Sequence, residues 1–348
     1  METVYILEPG SYLRREGSSL KVFKEGSVVS QIPVDGLKKL MLVGYVSLSG
    51  GVLDFLIKQR VETVFVTSTG RFRARLAIDE HRHVALRTAQ YLKLSDVSFA
   101  LKTGMTIVRG KVTNMYRMLL LRARQYQDET LRNTAARLAA IDANIFTSKN
   151  FDVLRGLEGA ATRIYYSAFK RLIRNQHFSF NGRNKRPPLD PVNAMLSFVY
   201  TLLTNEVLSA IKTCGFDPYL GSLHEISYGR PSLACDLVEE YRCFLGDRFV
   251  LGLINRKVVK PEDFIYRKPP PAEFIDEAEM KSRRPVEMKP ATSRALVSAY
   301  EQMMKRRIYY EPLGKEVEYR WLILNQVRQF GKCLENPETV YKPFVWDN

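Results

Sequence analysis

The sequence is poor in cysteine and tryptophan. Its 348 residues include four cysteines (Cys214, Cys235, Cys243 and Cys333) and two tryptophans. The cysteines are too few for a disulfide framework, and no CxxC pair is present for a zinc ribbon or a thiol redox site. We therefore expect buried, reduced thiols, because free cysteine is among the most buried residue types.

Long hydrophobic stretches are also missing. Apolar runs such as Leu40–Val43 fall far short of the roughly 18–20 residues that cross a bilayer. The first residues, Met1-Glu2-Thr3, show no basic stretch leading into an apolar one, so no signal peptide is visible. With 45% hydrophobic and 11% aromatic residues the composition is globular. We expect a soluble, cytoplasmic protein with no membrane partner.

Acidic residues are scarce relative to basic ones. The chain has 53 Lys and Arg against 37 Asp and Glu, a formal net charge of +16. Such an excess favours a polyanionic partner, with nucleic acid ahead of an acidic membrane. A basic enzyme whose charge serves solubility alone is the alternative on composition.

The first 80 residues have the pattern of a β-rich domain. Short β-prone runs such as Val4–Leu7, Ser19–Phe23 and Val28–Ile32 alternate with Gly-containing turns, and Lys24–Ser27 predicts a hairpin. Residues 49–60 predict one short helix capped by Ser49 or Ser47.

A helical period follows from about residue 80 onward. Apolar residues recur at three- and four-residue spacing in the segments 84–94, 99–126, 130–141, 150–174, 192–214, 235–246, 247–255 and 291–333. Pro and Gly predict a loop over 181–191, and residues 260–290 predict an irregular excursion. The expected fold class is therefore α+β. Its domains are a β-rich domain (1–80), a linker with the first helix (81–98) and a larger, mostly α-helical catalytic domain (99–348).

The basic excess is concentrated in the helical domain. Residues 102–124 contain six Lys or Arg and no acid, and residues 159–189 contain seven and no acid. Tyr165, Tyr166, Phe169, Phe178 and Phe180 interleave with the second run, which suits phosphate neutralisation combined with base stacking. A solvated helix face with ordinary core aromatics is the alternative interpretation.

Three acidic or histidine-bearing segments suggest metal chemistry. Glu158 stands between Gly156 and Gly159, where a ligand or another backbone is expected to approach closely. His224 ends a Gly-rich turn, and Asp236 and Glu239 share one face of the helix that follows. Each feature alone is more typical of a structural role, such as capping. Together they offer two hard oxygens and an imidazole, which suit Mn²⁺ or Mg²⁺.

Several blocks in this region resemble one family. The blocks are Gly110-Lys-Val-Thr-Asn114, Gly156-Leu-Glu-Gly-Ala-Ala161, Arg183-Asn-Lys-Arg-Pro-Pro-Leu-Asp-Pro-Val-Asn193, Gly215-Phe-Asp-Pro-Tyr-Leu-Gly-Ser-Leu-His224 and Arg230-Pro-Ser-Leu-Ala-Cys-Asp-Leu-Val-Glu-Glu-Tyr-Arg242. In this order they resemble the CRISPR-associated integrase nuclease, the larger subunit of the spacer-acquisition machinery. The resemblance runs over nearly the whole chain, from the β-rich start to Tyr341-Lys-Pro-Phe344.

The resemblance implies an activity and partners. It implies a homodimer that assembles with a small ferredoxin-like partner subunit and acts on double-stranded and branched DNA. The reaction would be endonucleolytic and integrative, inserting short DNA fragments into a repeat array by 3′-OH transesterification. A non-catalytic nucleic-acid scaffold of the same complex and an RNA-processing nuclease are the rival interpretations.

The resemblance also assigns residues. It implies metal ligation by Glu158, His224 and Glu239, with Asp236 completing the catalytic set by orienting His224 or water. From the basic runs themselves we expect Arg163, Arg183, Lys185 and Arg186 to bind phosphates, and Tyr165 or Tyr166 to stack on a splayed base. No organic cofactor is expected.

Overall fold

The strands of the N-terminal region form two four-stranded sheets around one apolar core. A computed structural model describes residues 3–67, 72–76, 83–184, 187–267, 285–336 and 338–346. The chain divides into two compact units, Met1–His81 and Arg82–Asn348. The predicted α+β class is confirmed, with a strand-rich first unit and a mostly helical second one. The predicted boundary at residues 80 and 81 lies outside the described residues.

The first unit is built on alternating and continuous apolar strands. In one sheet β1, β5 and β7 run parallel and β8 pairs antiparallel to β7, while the other has the order β4-β3-β2-β6. Strand β5 is buried at every position, as expected for a central parallel strand. The predicted hairpin is confirmed, since Glu25 and Gly26 both take positive φ between β3 and β4. The elements are β1 (Thr3–Ile6), β2 (Tyr12–Glu16), β3 (Ser19–Lys24), β4 (Ser27–Pro33), β5 (Lys39–Val43), β6 (Ser47–Leu48), α1 (Gly50–Lys58), β7 (Glu62–Val66) and β8 (Phe72–Leu76).

The second unit is helical and is organised around two long helices. The helices are α2 (Val84–Ser95), α3 (Val97–Tyr126), α4 (Glu129–Asn144), α5 (Phe151–Phe169), α6 (Pro191–Thr213), α7 (Ser232–Leu237), α8 (Glu239–Tyr241), α9 (Arg248–Asn255), α10 (Pro290–Met304) and α11 (Tyr319–Glu335). Helix α6 begins where Asp190 caps the N–H of Asn193 and Pro191 occupies the first turn. It is long and apolar enough to cross a membrane by length and composition, but most of it is buried inside the fold. The helix predicted over residues 192–214 is therefore confirmed.

Two segments differ from the predicted pattern. The helix predicted over 291–333 is wrong, because a hairpin of β11 (Arg307–Tyr310) and β12 (Lys315–Glu318) separates α10 from α11. Pro312 cannot continue a helix, and Gly314 takes a left-handed conformation at the turn. The irregular excursion predicted over 260–290 contains the antiparallel pair β9 (Phe264–Tyr266) and β10 (Val286–Met288), while residues 268–284 lie outside the described residues.

The four cysteines are free thiols. Cys243 and Cys333 are buried, while Cys214 and Cys235 are partly buried. Burial raises the pKa of the Cys243 thiol above its ordinary value, and hydrogen bonding to Tyr165 opposes that rise only in part. The thiol form of Cys243 is thus favoured over the thiolate, and the predicted burial holds fully for Cys243 and Cys333.

Candidate active site

Helix α3 carries a buried lysine at its centre. The helix starts at Asp96, whose carboxylate accepts the N–H groups of Ser98 and Phe99. Lys111 is only 5% exposed. Its ammonium pairs at very short range with Glu158 and lies 2.8 Å from Oε2 of Glu239. Burial alone lowers the pKa of Lys111, but these two carboxylates outweigh it and raise the pKa above its ordinary value.

Helix α5 presents Glu158 to this lysine. Asn150 caps the helix by accepting the N–H of Val153. Glu158 also accepts a hydrogen bond from the hydroxyl of Thr162 at 3.0 Å. The expected close approach of another backbone to the flanking glycines does not occur among the described residues, because a Cβ on Gly156 or Gly159 would meet nothing within 4 Å. These glycines leave space beside Glu158.

Glu239 is more deeply buried than Glu158, the other carboxylate that contacts Lys111. It begins α8, directly after the break that follows α7 at Val238. Its carboxylate contacts Lys111 and also lies 3.1 Å from Arg242. Burial raises the pKa of Glu239, but Arg242 and Lys111 outweigh that effect and lower it to about 2. Glu239 is therefore ionised at every pH at which the protein is expected to work.

A loop of four residues wraps around Asp236, which is fully buried in α7. Its Oδ2 accepts the N–H groups of Ser222 and Leu223 at 2.6 and 3.0 Å, and its Oδ1 accepts the N–H of His224 at 3.0 Å. The same Oδ1 lies 2.6 Å from Nδ1 of His224. Gly221 is required here because a Cβ would collide with the carboxylate. Asp236 therefore fixes the imidazole and leaves its Nε2 as the nitrogen available to a ligand.

These segments surround one open pocket. It has a volume of about 340 Å³ and is lined by Arg155, Glu158, Leu223, His224, Glu225, Arg230 and Glu239. Thus the structure brings the three predicted ligand residues to one cavity, with Asp236 directly behind His224. Two arginines that the prediction did not include, Arg155 and Arg230, add positive charge to the lining.

The residues of this pocket suit a divalent cation, although their present arrangement is not a coordination sphere. Within the described ranges no three His, Cys, Asp or Glu side chains are grouped closely enough to hold one ion. Lys111 instead stands between the two carboxylates. The donor set of two carboxylates and one imidazole is nevertheless appropriate for Mn²⁺ or Mg²⁺. In addition, Oε2 of Glu239 is a buried oxygen that lacks a hydrogen bond of good geometry, despite its ionic contact with Lys111.

The predicted DNA-binding residues have different environments. Arg163 is exposed on α5, as a phosphate-binding residue requires. Arg183 is already engaged, since its guanidinium donates to Asn193 and Ser197 and lies over the ring of Tyr200. The prediction for Lys185 and Arg186 falls on residues outside the described ranges.

The stacking role predicted for Tyr165 is wrong. Its side chain is completely buried and donates a hydrogen bond to Asp247 at 2.9 Å. Tyr166 is half-buried, packs edge-on against Tyr165, and shares a hydrogen bond with Tyr200. The helical spacing of these aromatics reflects core packing, so neither ring offers a free face to a base.

The basic runs are also partly neutralised by acids that are distant in sequence. Arg109 approaches Asp142, Lys111 pairs with Glu158, and Arg171 pairs with Asp128 at 2.7 Å. Arg117 donates to the carbonyl oxygen of Trp346. A run without acids in the sequence is therefore not a surface without acids in the fold.

Sequence reasoning missed Lys111, Arg242 and the anchoring of the C-terminal segment. Glu240 is buried and accepts hydrogen bonds from Tyr341 and from the N–H of Phe344. The signal for Lys111 was present, because it interrupts an otherwise apolar helix face with Ile107 and Met118. A lysine on a buried face needs a counter-ion, and that requirement pointed to acids elsewhere in the chain.

Another buried acid, Asp247, stands at the end of the π-helical turn Arg242–Asp247. Asp247 accepts hydrogen bonds from Tyr165 and Tyr200. Burial raises its pKa from 3.8 to about 6, although these hydrogen bonds and the charges of Arg183 and Arg242 act in the opposite direction. The folded protein therefore keeps a proton on Asp247 at pH values where the unfolded chain has lost it. The contribution of Asp247 to the free energy of unfolding is therefore fully present below about pH 4 and is lost as the pH rises through about 6.

Asp247→Asn is expected to remove this pH-dependent loss. A pKa change from 3.8 to about 6 corresponds to about 3 kcal/mol of unfolding free energy. The stability of the variant relative to the wild type should therefore rise by up to about 3 kcal/mol between pH 4 and pH 7. Urea unfolding of both proteins at several pH values measures the difference. A difference that stays constant with pH would show that Asp247 does not titrate in this range.

A family model and individual relatives found by comparison with known sequences all point to one family. A family model described as "CRISPR associated protein Cas1" matches residues 4–282. The CRISPR-associated endonuclease Cas1 1 of Chlorobaculum tepidum is 32% identical over 353 residues, which cover 99% of this chain and 98% of the relative. The endonuclease Cas1 3 of Thermus thermophilus is 34% identical over 98% of this chain and 96% of its own length.

Solved structures share the fold. A Cas1 protein from Thermotoga maritima superposes with a TM-score of 0.78 at 24% identity over the full length of both chains. A casposase bound to integration product gives 0.81 at 20% identity, covering 100% of this chain and 95% of the casposase. A chain of a Cas6-RT-Cas1–Cas2 complex also gives 0.81, at 21% identity over 99% of this chain and 36% of that one.

Proposed function

Because the chain belongs to the Cas1 family of CRISPR-associated proteins, we propose that it is a divalent-metal-dependent DNA endonuclease and integrase of CRISPR adaptation. In this reaction the 3′-OH of a short DNA fragment attacks a phosphodiester of the repeat, so that one phosphodiester bond forms while the repeat strand breaks and its own 3′-oxygen leaves as a hydroxyl. One observation carries the proposal: Glu158, His224 and Glu239 come from three separate segments and line the same open pocket.

The proposed metal ligands are Glu158, His224 and Glu239. One Mn²⁺ or Mg²⁺ ion held there would neutralise charge on the scissile phosphate and favour ionisation of the attacking hydroxyl. Asp236 holds Nδ1 of His224 and so presents Nε2 as the nitrogen for a ligand. The protein supplies no serine or cysteine nucleophile in this scheme, because the nucleophile is the DNA 3′-OH.

Positive side chains of the pocket would position the DNA backbone. Arg155 and Arg230 line the cavity, and Arg163 is exposed on the helix that carries Glu158. Arg155 is held 2.7 Å from Glu225 at the same cavity. Guanidinium groups bind phosphate oxygens in a bidentate manner, which fixes the register of a strand without reading its sequence.

The assembly is also part of the proposal. We infer a homodimer that binds a small ferredoxin-like partner subunit and acts on double-stranded and branched DNA. A shared fold with a chain whose structure is described as a Cas6-RT-Cas1–Cas2 complex supports a partner subunit. The net charge of +16 supports DNA as the substrate.

A strand-transfer assay tests the proposed function. The protein and its partner subunit are incubated with Mn²⁺, a repeat-bearing plasmid and a labelled DNA fragment. Covalent joining is expected with a free 3′-OH, and none is expected with a 3′-dideoxy end or with EDTA. Joining that persists with the blocked end or with EDTA would contradict the proposed chemistry.

The same assay separates the rival functions. DNA binding without cleavage or joining under any metal condition would identify a non-catalytic scaffold. Processing of an RNA of the same sequence in preference to the DNA would identify an RNA nuclease. The scaffold function is tested because Lys111 already forms ionic contacts with both carboxylates that would bind the metal.

A further inference from the structure

Lys111 occupies the position between the two carboxylates that the proposed metal site requires. Its ammonium contacts Glu158 and lies 2.8 Å from Oε2 of Glu239. The side chain is buried, so it has exchanged water for these two partners. A buried ammonium is tolerated in a fold when it is paired and hydrogen-bonded, and both carboxylates serve that purpose here.

The backbone around Lys111 is held firmly by the C-terminal segment. A Cβ atom on Gly110 would lie 2.5 Å from Cβ of Pro343, so this segment packs directly on the helix backbone. Asn114 donates to the carbonyl oxygens of Glu240 and Phe344, both at 2.9 Å. One turn of α3 is thereby joined to the backbone next to Glu239. The position of the lysine is consequently part of the fold and differs from that of a mobile surface lysine.

The charges that meet at this point are already balanced. Glu158 and Glu239 carry two negative charges, and Lys111 and Arg242, which contact them, carry two positive charges. A divalent cation placed against the same two carboxylates therefore adds two charges beside a fixed ammonium. It must either displace that ammonium or bind against its repulsion.

We propose that Lys111 is a resident counter-cation that competes with the divalent metal for Glu158 and Glu239. This inference rests on the proposed function, because the competing ion is the one that the nuclease would use. It explains how two acids can be held together by the fold before any ion arrives. It also implies that the metal binds weakly until the negative charge of a DNA phosphate offsets the excess positive charge at the site.

A calorimetric titration with Mn²⁺ tests the competition directly. Lys111→Met keeps the length of the side chain and removes its charge. We expect Mn²⁺ to bind this variant at least tenfold more tightly than the wild type, equivalent to about 1.4 kcal/mol. Lys102→Met is the matched control, because Lys102 is exposed on the same helix; its Mn²⁺ affinity should stay within about twofold of the wild type.

Thermal unfolding gives a second consequence of the same variant. Without metal, Lys111→Met leaves the two carboxylates less well compensated, so its melting temperature should fall below that of the wild type. Addition of Mn²⁺ should then raise the melting temperature more in the variant than in the wild type, because tighter binding to the folded state stabilises it more.

The outcomes distinguish this inference from the proposed function. Equal or weaker Mn²⁺ binding by Lys111→Met would overturn the competition and leave the metal site intact. Absence of Mn²⁺ binding in the wild type and in Lys111→Met, or binding that survives Glu158→Gln unchanged, would instead overturn the proposed metal site.

A measurement on the wild-type protein tests the proposal even if the Lys111→Met variant does not fold. Reductive methylation followed by peptide mass spectrometry reports which lysines are accessible. Lys111 should resist methylation without metal and become reactive when saturating Mn²⁺ displaces it, while Lys102 should react equally in both conditions. Reactivity of Lys111 that does not change with Mn²⁺ would contradict the proposal.

Discussion

Glu158→Gln is expected to reduce DNA strand transfer by at least about a hundredfold while the protein remains folded. The substitution keeps the shape of the side chain and an oxygen that can accept from Thr162, but it removes the negative charge that a divalent ion needs. Loss of one preorganised electrostatic contact to a transition state typically lowers rates by 10²–10³-fold. Initial rates of joining with saturating Mn²⁺ measure the effect.

The control for this prediction is Asp152→Asn. Asp152 lies in the first turn of the same helix, and its side chain is 92% exposed. Its loss should change the rate by less than about threefold, since surface charges of this kind contribute little. The melting temperature of Asp152→Asn should lie close to that of the wild type, whereas that of Glu158→Gln should be lower, because the buried Lys111 loses one of its two carboxylate partners. Wild-type rates for Glu158→Gln would remove Glu158 from the site and with it the proposed ligand set.

Local patterns made much of the fold predictable. The cap at Ser49 and the apolar spacing over residues 49–60, 150–174 and 192–214 predicted helices that the structure contains. The positive-φ pair in the β3–β4 hairpin was visible as a Glu-Gly turn. Strand order was not predictable in this way, because β1 pairs with β5 and β5 with β7, and such pairings join residues that are distant in sequence.

The same contrast applies to the candidate site. The chemistry of Glu158, His224 and Glu239 suggested a common site from the residue types and from the family resemblance, and the structure places them around one pocket. The apolar face of α3 indicated that Lys111 needs a counter-ion, but the identity of the acids depends on the packing of α3 against α5 and α8, which no local pattern encodes. The stacking role predicted for Tyr165 was wrong for a related reason. Aromatic residues at helical spacing show the same sequence pattern in a core as at an interface, and Tyr165 lies in the core.

Asp236→Ala is expected to be the most damaging single substitution to stability, and it should also lower activity because His224 loses the carboxylate that orients it. The carboxylate satisfies three backbone N–H groups of the loop and holds Nδ1 of His224, all in a fully buried position. Removing one partner of a buried charged network leaves the other groups unsatisfied, at a cost of about 3–5 kcal/mol. Urea unfolding at neutral pH measures that cost.

Comparison with His224→Ala separates the two roles of Asp236. The imidazole is partly exposed and lines the pocket, so His224→Ala should cost little stability, below about 1 kcal/mol, while strand transfer falls by at least about a hundredfold.

If Asp236 contributes to the reaction by orienting His224, then the double variant Asp236→Ala/His224→Ala should transfer strands no more slowly than His224→Ala alone, once both are assayed below their unfolding temperatures. A further large loss in the double variant would mean that Asp236 acts on substrate or metal independently of the imidazole. The buried geometry argues against that result, because every hydrogen bond that the structure gives this carboxylate is to the loop Ser222–His224.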